Sequence, residues 1–224
     1  DVLINNAGVG ISGTLDSLDL DVFEYALKLN VLAPIAMLQA VIPAMKRQGN
    51  GVIVNVSSMI EAAAVPYMAG YGASKAALGY LSDAAAIELD EYNIAVIRVL
   101  PGITETNFNA NLLKTGEATS LETLFECAGL LKSVSPERVA DAIWEAVLAR
   151  RRITYVTVED GLLAQAAGAV AQGDLNQAVP EEASIAELDL LGRSFNRMTA
   201  ALRQSDQART AFISDVSHEL RTPL

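Results

Sequence analysis

The sequence predicts an α/β fold, a doubly wound parallel sheet of four strands, followed by an all-α helical tail. Three observations carry that expectation. Four short runs, Val2–Asn5, Val52–Val56, Ile94–Leu100 and Ile153–Thr157, are aliphatic or β-branched nearly throughout, as in strands covered by helices on both faces. Long helical patterns at roughly Asp19–Arg47, Tyr67–Glu91 and Pro136–Arg150 separate them, and such alternation builds a parallel sheet with crossover helices. After about residue 158 strand-like runs cease, and helical periodicity takes over.

In the tail, Leu163, Ala166, Ala167 and Val170 recur at spacings of three and four, a narrow seam of coiled-coil type. Gly173-Asp174-Leu175 and Pro180 break this helix. A second, beginning near Ser184, carries Leu188, Leu191, Phe195, Met198 and Leu202 on one side. The seam weakens through Ser205–Thr210 and resumes at Ile213, Val216 and Leu220. The expected organisation is therefore an α/β segment over 1–157, a junction at 158–161, a helical module over 162–204 and a further helix over 205–224.

Charge and composition narrow the partners. The chain has 224 residues, 51% of them hydrophobic, and a formal net charge of −11. A nucleic-acid surface needs clustered Lys and Arg, so that class is set aside. The basic run Arg150-Arg151-Arg152 reads as a solvated helix end, where cations favour the dipole. Cys127 is the one cysteine, which excludes an internal disulfide and suits a reducing cytoplasm. The longest apolar stretch, Val31 to Met45, is interrupted by Pro34, Gln39 and Pro43 and falls short of a bilayer span. The expectation is a cytoplasmic chain with no membrane span and no metal cluster. The opening Asp1-Val2-Leu3-Ile4 has no initiator Met, and reads as a start inside a gene product.

Tyr71 and Lys75 are four residues apart near the start of a predicted helix, so the phenol and the ammonium share a face. A phenol has an unperturbed pKa of about 10, and a nearby cation favours its phenolate. Such a pair suits proton transfer to a carbonyl as alkoxide develops during hydride transfer. The pair alone also describes an ordinary surface helix pair. Ser58 ends the second strand thirteen residues before Tyr71, at the sheet edge where ligands bind. There it would hydrogen-bond a substrate oxygen, or simply cap a turn. Asn30 sits amid Leu27, Leu29, Val31 and Leu32, and by itself reads equally as a satisfied core amide. Asn5-Asn6-Ala7-Gly8 and Pro101-Gly102-Ile103-Thr104-Glu105-Thr106 follow two further strands.

Taken in order and spacing, these motifs resemble the short-chain dehydrogenase/reductase family from its fourth strand onward, over about 157 of 224 residues. The resemblance implies a partial Rossmann-like sheet and an oxidoreductase using NAD or NADP. It implies Tyr71 as acid/base, with Lys75 lowering its pKa and holding the nicotinamide ribose. Ser58 would orient the carbonyl, and Asn30 would anchor a water in a relay to Lys75. Asn5, Ala7 and Gly8 would line the adenosine side. Ile103 and Thr106, in the run opened by Pro101 and Gly102, would meet the nicotinamide carboxamide. The loop from Asn107 to Val134 takes the lid position; its Leu112, Leu113, Leu121, Leu124, Phe125, Leu130 and Leu131 fit a small apolar carbonyl or alcohol, or a lid packed on itself. The family's Gly-rich phosphate-binding turn is expected before residue 1. Very weak NAD(P)H binding, no measurable turnover and a bare edge at Val2–Asn5 are the corresponding expectations.

His218 is the one histidine, and helical spacing turns it away from Val216 and Leu220. Alone it reads as a surface His. The run Phe212–Leu224, with Glu219 and Thr222, resembles the phosphoacceptor box of sensor histidine kinases. Residues 162–204 resemble a HAMP signal-relay module through Gly173-Asp174-Leu175, Glu187-Leu188 and Phe195-Asn196-Arg197-Met198, departing from it at Ala186 and Asp189. By that resemblance His218 accepts phosphate, Glu219 is its base and Thr222 serves a phosphatase step. The helices pair as a homodimer, and a response regulator is the partner. No autophosphorylation from ATP is expected of this chain. Three readings compete: a reductase, a signalling fragment uncoupled from its membrane helix, and two joined gene pieces with neither full activity. The third accounts best for a joint falling where one fold finishes.

Overall fold

The computed structural model describes residues 1–62, 64–108, 110–116, 133–157, 160–162 and 164–165. The chain divides into two compact units, Asp1–Gly161 and Leu162–Leu224. Most of the second, with its expected helical seams and with His218, Glu219 and Thr222, lies outside the described residues. So do Cys127 and the expected lid residues Leu121, Leu124, Phe125, Leu130 and Leu131.

The first unit runs β1 (Val2–Asn5), β2 (Ile11–Ser12), α1 (Leu20–Leu27), α2 (Ala33–Gln48), β3 (Gly51–Val56), α3 (Ala69–Leu89), β4 (Ile94–Leu100), β5 (Leu113–Lys114), α4 (Pro136–Ala149) and β6 (Ile153–Tyr155). The four expected strands form one parallel sheet in the order β1-β3-β4-β6. Val2 pairs with Val52, Gly51 with Ile94 and Arg98 with Ile153. Because all strands run the same way, their carboxyl ends gather at one edge. There Asn5 meets Asn55, and Ser57 donates its backbone N–H to Val99 O at 2.8 Å.

Every residue of β3 is buried, which is why its sequence is apolar without alternation. Val52, Val54, Val56, Ile97 and Val99 pack with Ala142 and Ala146 of α4. Ile53, Ile94 and Val96 pack on the other face with Met45, Ala86 and Leu89 from α2 and α3. Each such aliphatic side chain contributes about 1.5–3 kcal/mol on burial.

Local chemistry sets the boundaries. The Asp19 carboxylate accepts from the N–H groups of Asp21 and Val22 and starts α1. Ser135 caps α4, with Pro136 in its first turn. Gly49, at φ 63°, ends α2 in the left-handed conformation.

The long predicted helix 19–47 is not uniform. Lys28–Leu32 is a π-helical turn between α1 and α2. Pro34 explains it: the ring has no N–H to give the Asn30 carbonyl and clashes with that carbonyl, so the turn widens. Asn30 lies in this turn with its side chain fully buried.

Three further features go beyond the sequence pattern. β2 and β5, which no sequence pattern announced, pair in parallel as a small second sheet. Arg150 is the exposed cap of α4 that the sequence suggested, at φ 50°, and its guanidinium also donates to Asn50 Oδ1 (3.0 Å), Gly51 O (3.3 Å) and Asn93 O (2.6 Å). It thus ties the start of β3 to the turn that enters β4. Finally, Leu20–Gln48 is a helical run of 29 residues that by length and composition alone would suffice to cross a membrane, a test that the core helix of a soluble protein also passes. Its inner side lies on the sheet and α3, while Leu20, Tyr25, Leu32 and Met37 face outward.

Candidate active site

The site forms where β3 ends. Past Val56 the chain passes Ser57 and Ser58 into a 3-10 turn, Met59–Glu61. Met59 N–H donates to Pro101 O at 3.0 Å, stitching this turn to the loop after β4. Ser58 accepts from Ile60 N–H at 3.3 Å, so it does cap a turn. It also hydrogen-bonds the Tyr71 hydroxyl. The turn-capping reading of Ser58 is thus met in the structure.

Tyr71 and Lys75 are buried on one side of α3. Lys75 Nζ lies 5.9 Å from the centre of the Tyr71 ring and donates to Val56 O at 2.9 Å. Phe108 packs against the phenol, with ring centres 5.5 Å apart. Phenol, ammonium and serine thus surround one point at the end of β3.

Charge at this point departs from the expected pattern. Burial pushes the Tyr71 phenol up to about 12, against a smaller opposing effect of the Ser58 hydrogen bond. The anticipated lowering by Lys75 is not found. The ammonium points past the ring to a backbone carbonyl, and desolvation of the would-be phenolate dominates. Burial likewise drags Lys75 down to about 8, partly opposed by the negative charge of Glu61.

Asn30 reaches the site from the π turn. Its Oδ1 accepts from Val9 N–H at 2.9 Å, and its Nδ2 donates to Val9 O at 2.8 Å and Ser74 Oγ at 2.9 Å. It is a satisfied core amide, and it also sits close to Lys75. A Cβ on Gly8 would lie 3.2 Å from Asn30 Oδ1 and 3.3 Å from Lys75 Nζ. Gly8 therefore leaves the backbone open directly against the ammonium. Asn5 donates to Asn55 Oδ1 at 2.8 Å, and Asn55 donates onward to Ser82 Oγ at 2.9 Å. Asn5, Asn6 and Ala7 also border a groove with Pro34 and Met37.

The loop after β4 is half-placed. Pro101 O holds Met59, and a Cβ on Gly102 would come within 3.0 Å of Asp160 Oδ1. Ile103 O accepts from Val134 N–H at 2.9 Å. The exposed Thr106 accepts from Phe108 N–H through its hydroxyl at 3.3 Å, so it positions the residue that covers Tyr71. No contact brings Ile103 or Thr106 to Lys75.

Sequence reading passed over Asn55, Ser57, Glu61 and Arg98. Arg98 Nη1 pairs with Glu61 Oε1 at 3.0 Å, and Ser57 Oγ donates to Glu61 Oε2. The one signal available was an Arg inside an otherwise aliphatic strand, since a buried cation implies a partner. Among the described residues no group of three His, Cys, Asp or Glu is placed to hold a metal.

Comparison with known proteins agrees with this geometry. Residues 1–117 match the model for short chain dehydrogenases, and residues 161–204 match that for the HAMP domain. The chain belongs to the short-chain dehydrogenase family. A 3alpha-hydroxysteroid dehydrogenase of Mediterraneibacter gnavus is 38% identical over 159 residues, 71% of this chain and 61% of that protein. Mouse dehydrogenase/reductase SDR family member 7B is 31% identical over 157 residues, 70% of this chain and 48% of its own length. The chain spans about half the length of several curated relatives it matches. Among solved structures, a short-chain dehydrogenase from Streptomyces avermitilis superposes with a TM-score of 0.69 at 25% identity, over 79% of this chain and 67% of that one. One from Sphingobium yanoikuyae, in complex with NADPH, gives 0.63 at 26% identity, over 82% and 67%.

Proposed function

We propose that residues 1–157 are the catalytic part of an NAD(P)-dependent oxidoreductase that interconverts carbonyls and alcohols. The observation that carries this is the convergence of Tyr71, Ser58 and Lys75 at the end of β3, with Lys75 Nζ held by Val56 O and 5.9 Å from the centre of the Tyr71 ring. The residues present suit the ribose and nicotinamide end of a dinucleotide. Gly8 leaves space against Lys75 Nζ that a side chain would fill, and Asn5 and Ala7 border a groove with Pro34 and Met37. A bound nicotinamide supplies or removes the hydride.

This chain's residues manage the oxygen and its proton. The Tyr71 O–H donates to a substrate oxygen that Ser58 orients, and the proton crosses as negative charge grows on that oxygen. With its pKa pushed up to about 12, the phenol is protonated at neutral pH, which suits carbonyl reduction. Phe108 and Leu112, packed with Tyr71, form an apolar wall that excludes water. Together with the hydroxysteroid dehydrogenase relative, that wall directs attention to apolar ketones. NADPH-dependent reduction of a panel of cyclic ketones tests the reading. Because no turnover is expected of the chain by itself, the panel is run on residues 1–157 fused behind the Gly-rich phosphate-binding segment of a short-chain dehydrogenase. Activity is expected there and lost in Tyr71→Phe, and a Tyr71→Phe variant as active as that fusion would end the reading.

The HAMP match favours a second reading for the remainder of the chain. Residues 205–224 would begin the phosphoacceptor helix of a sensor histidine kinase, with His218 the acceptor, Glu219 its base and Thr222 a phosphatase-step residue. The helices would pair in a homodimer, with a response regulator downstream and both segments in the cytoplasm. Transfer of phosphate to His218 from a separately supplied kinase ATP-binding domain supports this; its failure with a proven donor refutes it. A third reading takes the two segments as joined gene pieces with neither full activity, and amplification of source DNA across codons 155–165 checks the join.

A further inference from the structure

Glu61 takes no part in the reaction proposed above, yet its side chain is only 6% exposed. It closes the 3-10 turn just behind Ser58 and stands at the centre of a charged cluster. Its Oε2 accepts the Ser57 hydroxyl, and its Oε1 pairs with Arg98 Nη1 at 3.0 Å. Arg98 extends through Nη2 to Asp83 Oδ2 at 3.3 Å. Ser57 Oγ also lies 3.3 Å from the backbone carbonyl of Lys75. One turn along α3, Gly79 makes room: a Cβ there would lie 2.6 Å from Glu61 Oε2 and 2.8 Å from Arg98 Nη1.

A buried ion pair is a poor stabilising device, because desolvation offsets most of its Coulombic gain. This one therefore needs a local reason. Lys75 provides it: an ammonium 4% exposed, hydrogen-bonded to a neutral carbonyl, is costly without an opposite charge nearby.

We propose that Glu61 is a positioning residue for Lys75. Braced by Arg98 and linked through the Ser57 hydroxyl to the Lys75 backbone, its carboxylate is the buried counter-charge that keeps this side chain cationic beside Tyr71. The catalytic consequence rests on the oxidoreductase reading; the electrostatic content does not.

The groups around Lys75 support this assignment. From α3 come Tyr71, a neutral phenol, and Asp83, paired with Arg98. From β4 comes Arg98, held by both carboxylates. β3 offers the Val56 carbonyl, while the π turn and the residues after β1 offer the amide of Asn30 and the backbone of Gly8. Burial pushes the Glu61 carboxyl up, while the Ser57 hydroxyl, Arg98 and Lys75 favour its carboxylate, and that negative charge opposes the loss of the Lys75 proton.

The test is an NMR titration of the Lys75 15Nζ signal in the full chain, assigned with Lys75→Arg. Removing an opposite charge at this range is expected to lower the Lys75 midpoint by about one pH unit in Glu61→Gln. The ammonium fraction at pH 8 then falls from about a half to about a tenth. Glu61→Asp, which keeps the charge, recovers most of the shift. The double variant Glu61→Gln/Arg98→Met leaves no guanidinium stranded, so it stays folded and shows the same fall. An unmoved midpoint in either folded Gln variant overturns the proposal. The underlying reading fails separately: if Tyr71→Phe leaves reduction intact while the Lys75 midpoint moves, Glu61 still holds the lysine, but for no reductase.

Discussion

Burial of Lys75 links stability to pH in a window that can be isolated. Its ordinary value of 10.5 falls to about 8 in the folded chain, burial being the main cause. Between those values the unfolded chain binds a proton that the folded chain does not, so stability rises with pH across the window. It is lost again as pH falls through the folded value near 8. Each pH unit is worth about 1.4 kcal/mol, and the full window therefore about 3 kcal/mol. Tyr71 acts in the opposite sense. Its folded value is raised to about 12, so its contribution is lost as pH climbs above 10. Confining the measurement to pH 8–9.5 avoids this and leaves about 2 kcal/mol for Lys75. The perturbation is Lys75→Met, which keeps the stem and removes the titrating group. Loss of the bond to Val56 O costs the same at every pH. Urea unfolding of both proteins at half-unit intervals gives the difference curve. The parent chain should gain about 2 kcal/mol on the variant between pH 8 and 9.5. Two parallel curves would refute the premise that Lys75 is buried with an ammonium it can barely retain.

Other perturbations probe separate parts of the site. Gly13→Ala places a methyl 2.2 Å from Thr115 O, and a backbone atom cannot swing aside; it should cost about 2 kcal/mol and speed hydrogen exchange at Leu113 and Thr115. Protection unchanged at both amides would show that β2 and β5 are not held together as described. Asn30→Leu leaves Val9 N–H and O without their side-chain partner, a loss of about 3 kcal/mol in urea unfolding; a change below 1 kcal/mol would mean the π turn tolerates an apolar residue. Arg150→Met removes three donated bonds at an exposed site and should lower stability by about 1 kcal/mol, with faster exchange at the start of β3.

Much of the first unit was legible in the chain because its information is local. The apolar runs of β1, β3, β4 and β6 need cover on both faces wherever they sit, and the helices between them dictate parallel crossovers. The spacing of Tyr71 to Lys75, and the place of Ser58 at a strand end, likewise follow from periodicity and direction along the chain. Asp19, Ser135 and Gly49 mark helix ends through groups within a few residues of themselves.

Tertiary structure alone decided what depends on distant partners. The pairing of β2 with β5 joins two-residue strands about a hundred positions apart, too short for any pattern. Arg150 leaves a helix end for carbonyls on β3 and beside β4. Whether a phenol is an easy or a reluctant acid is set by how much water surrounds it, and the helical spacing of Tyr71 and Lys75 carries no record of Phe108 closing over the ring. The Glu61–Arg98 pair comes from a turn and a strand whose neighbourhood exists only once the sheet has formed. Chemistry is written residue by residue, whereas dielectric surroundings are a property of everything packed around them. The sequence therefore names the groups of this site, and only the fold sets their charge.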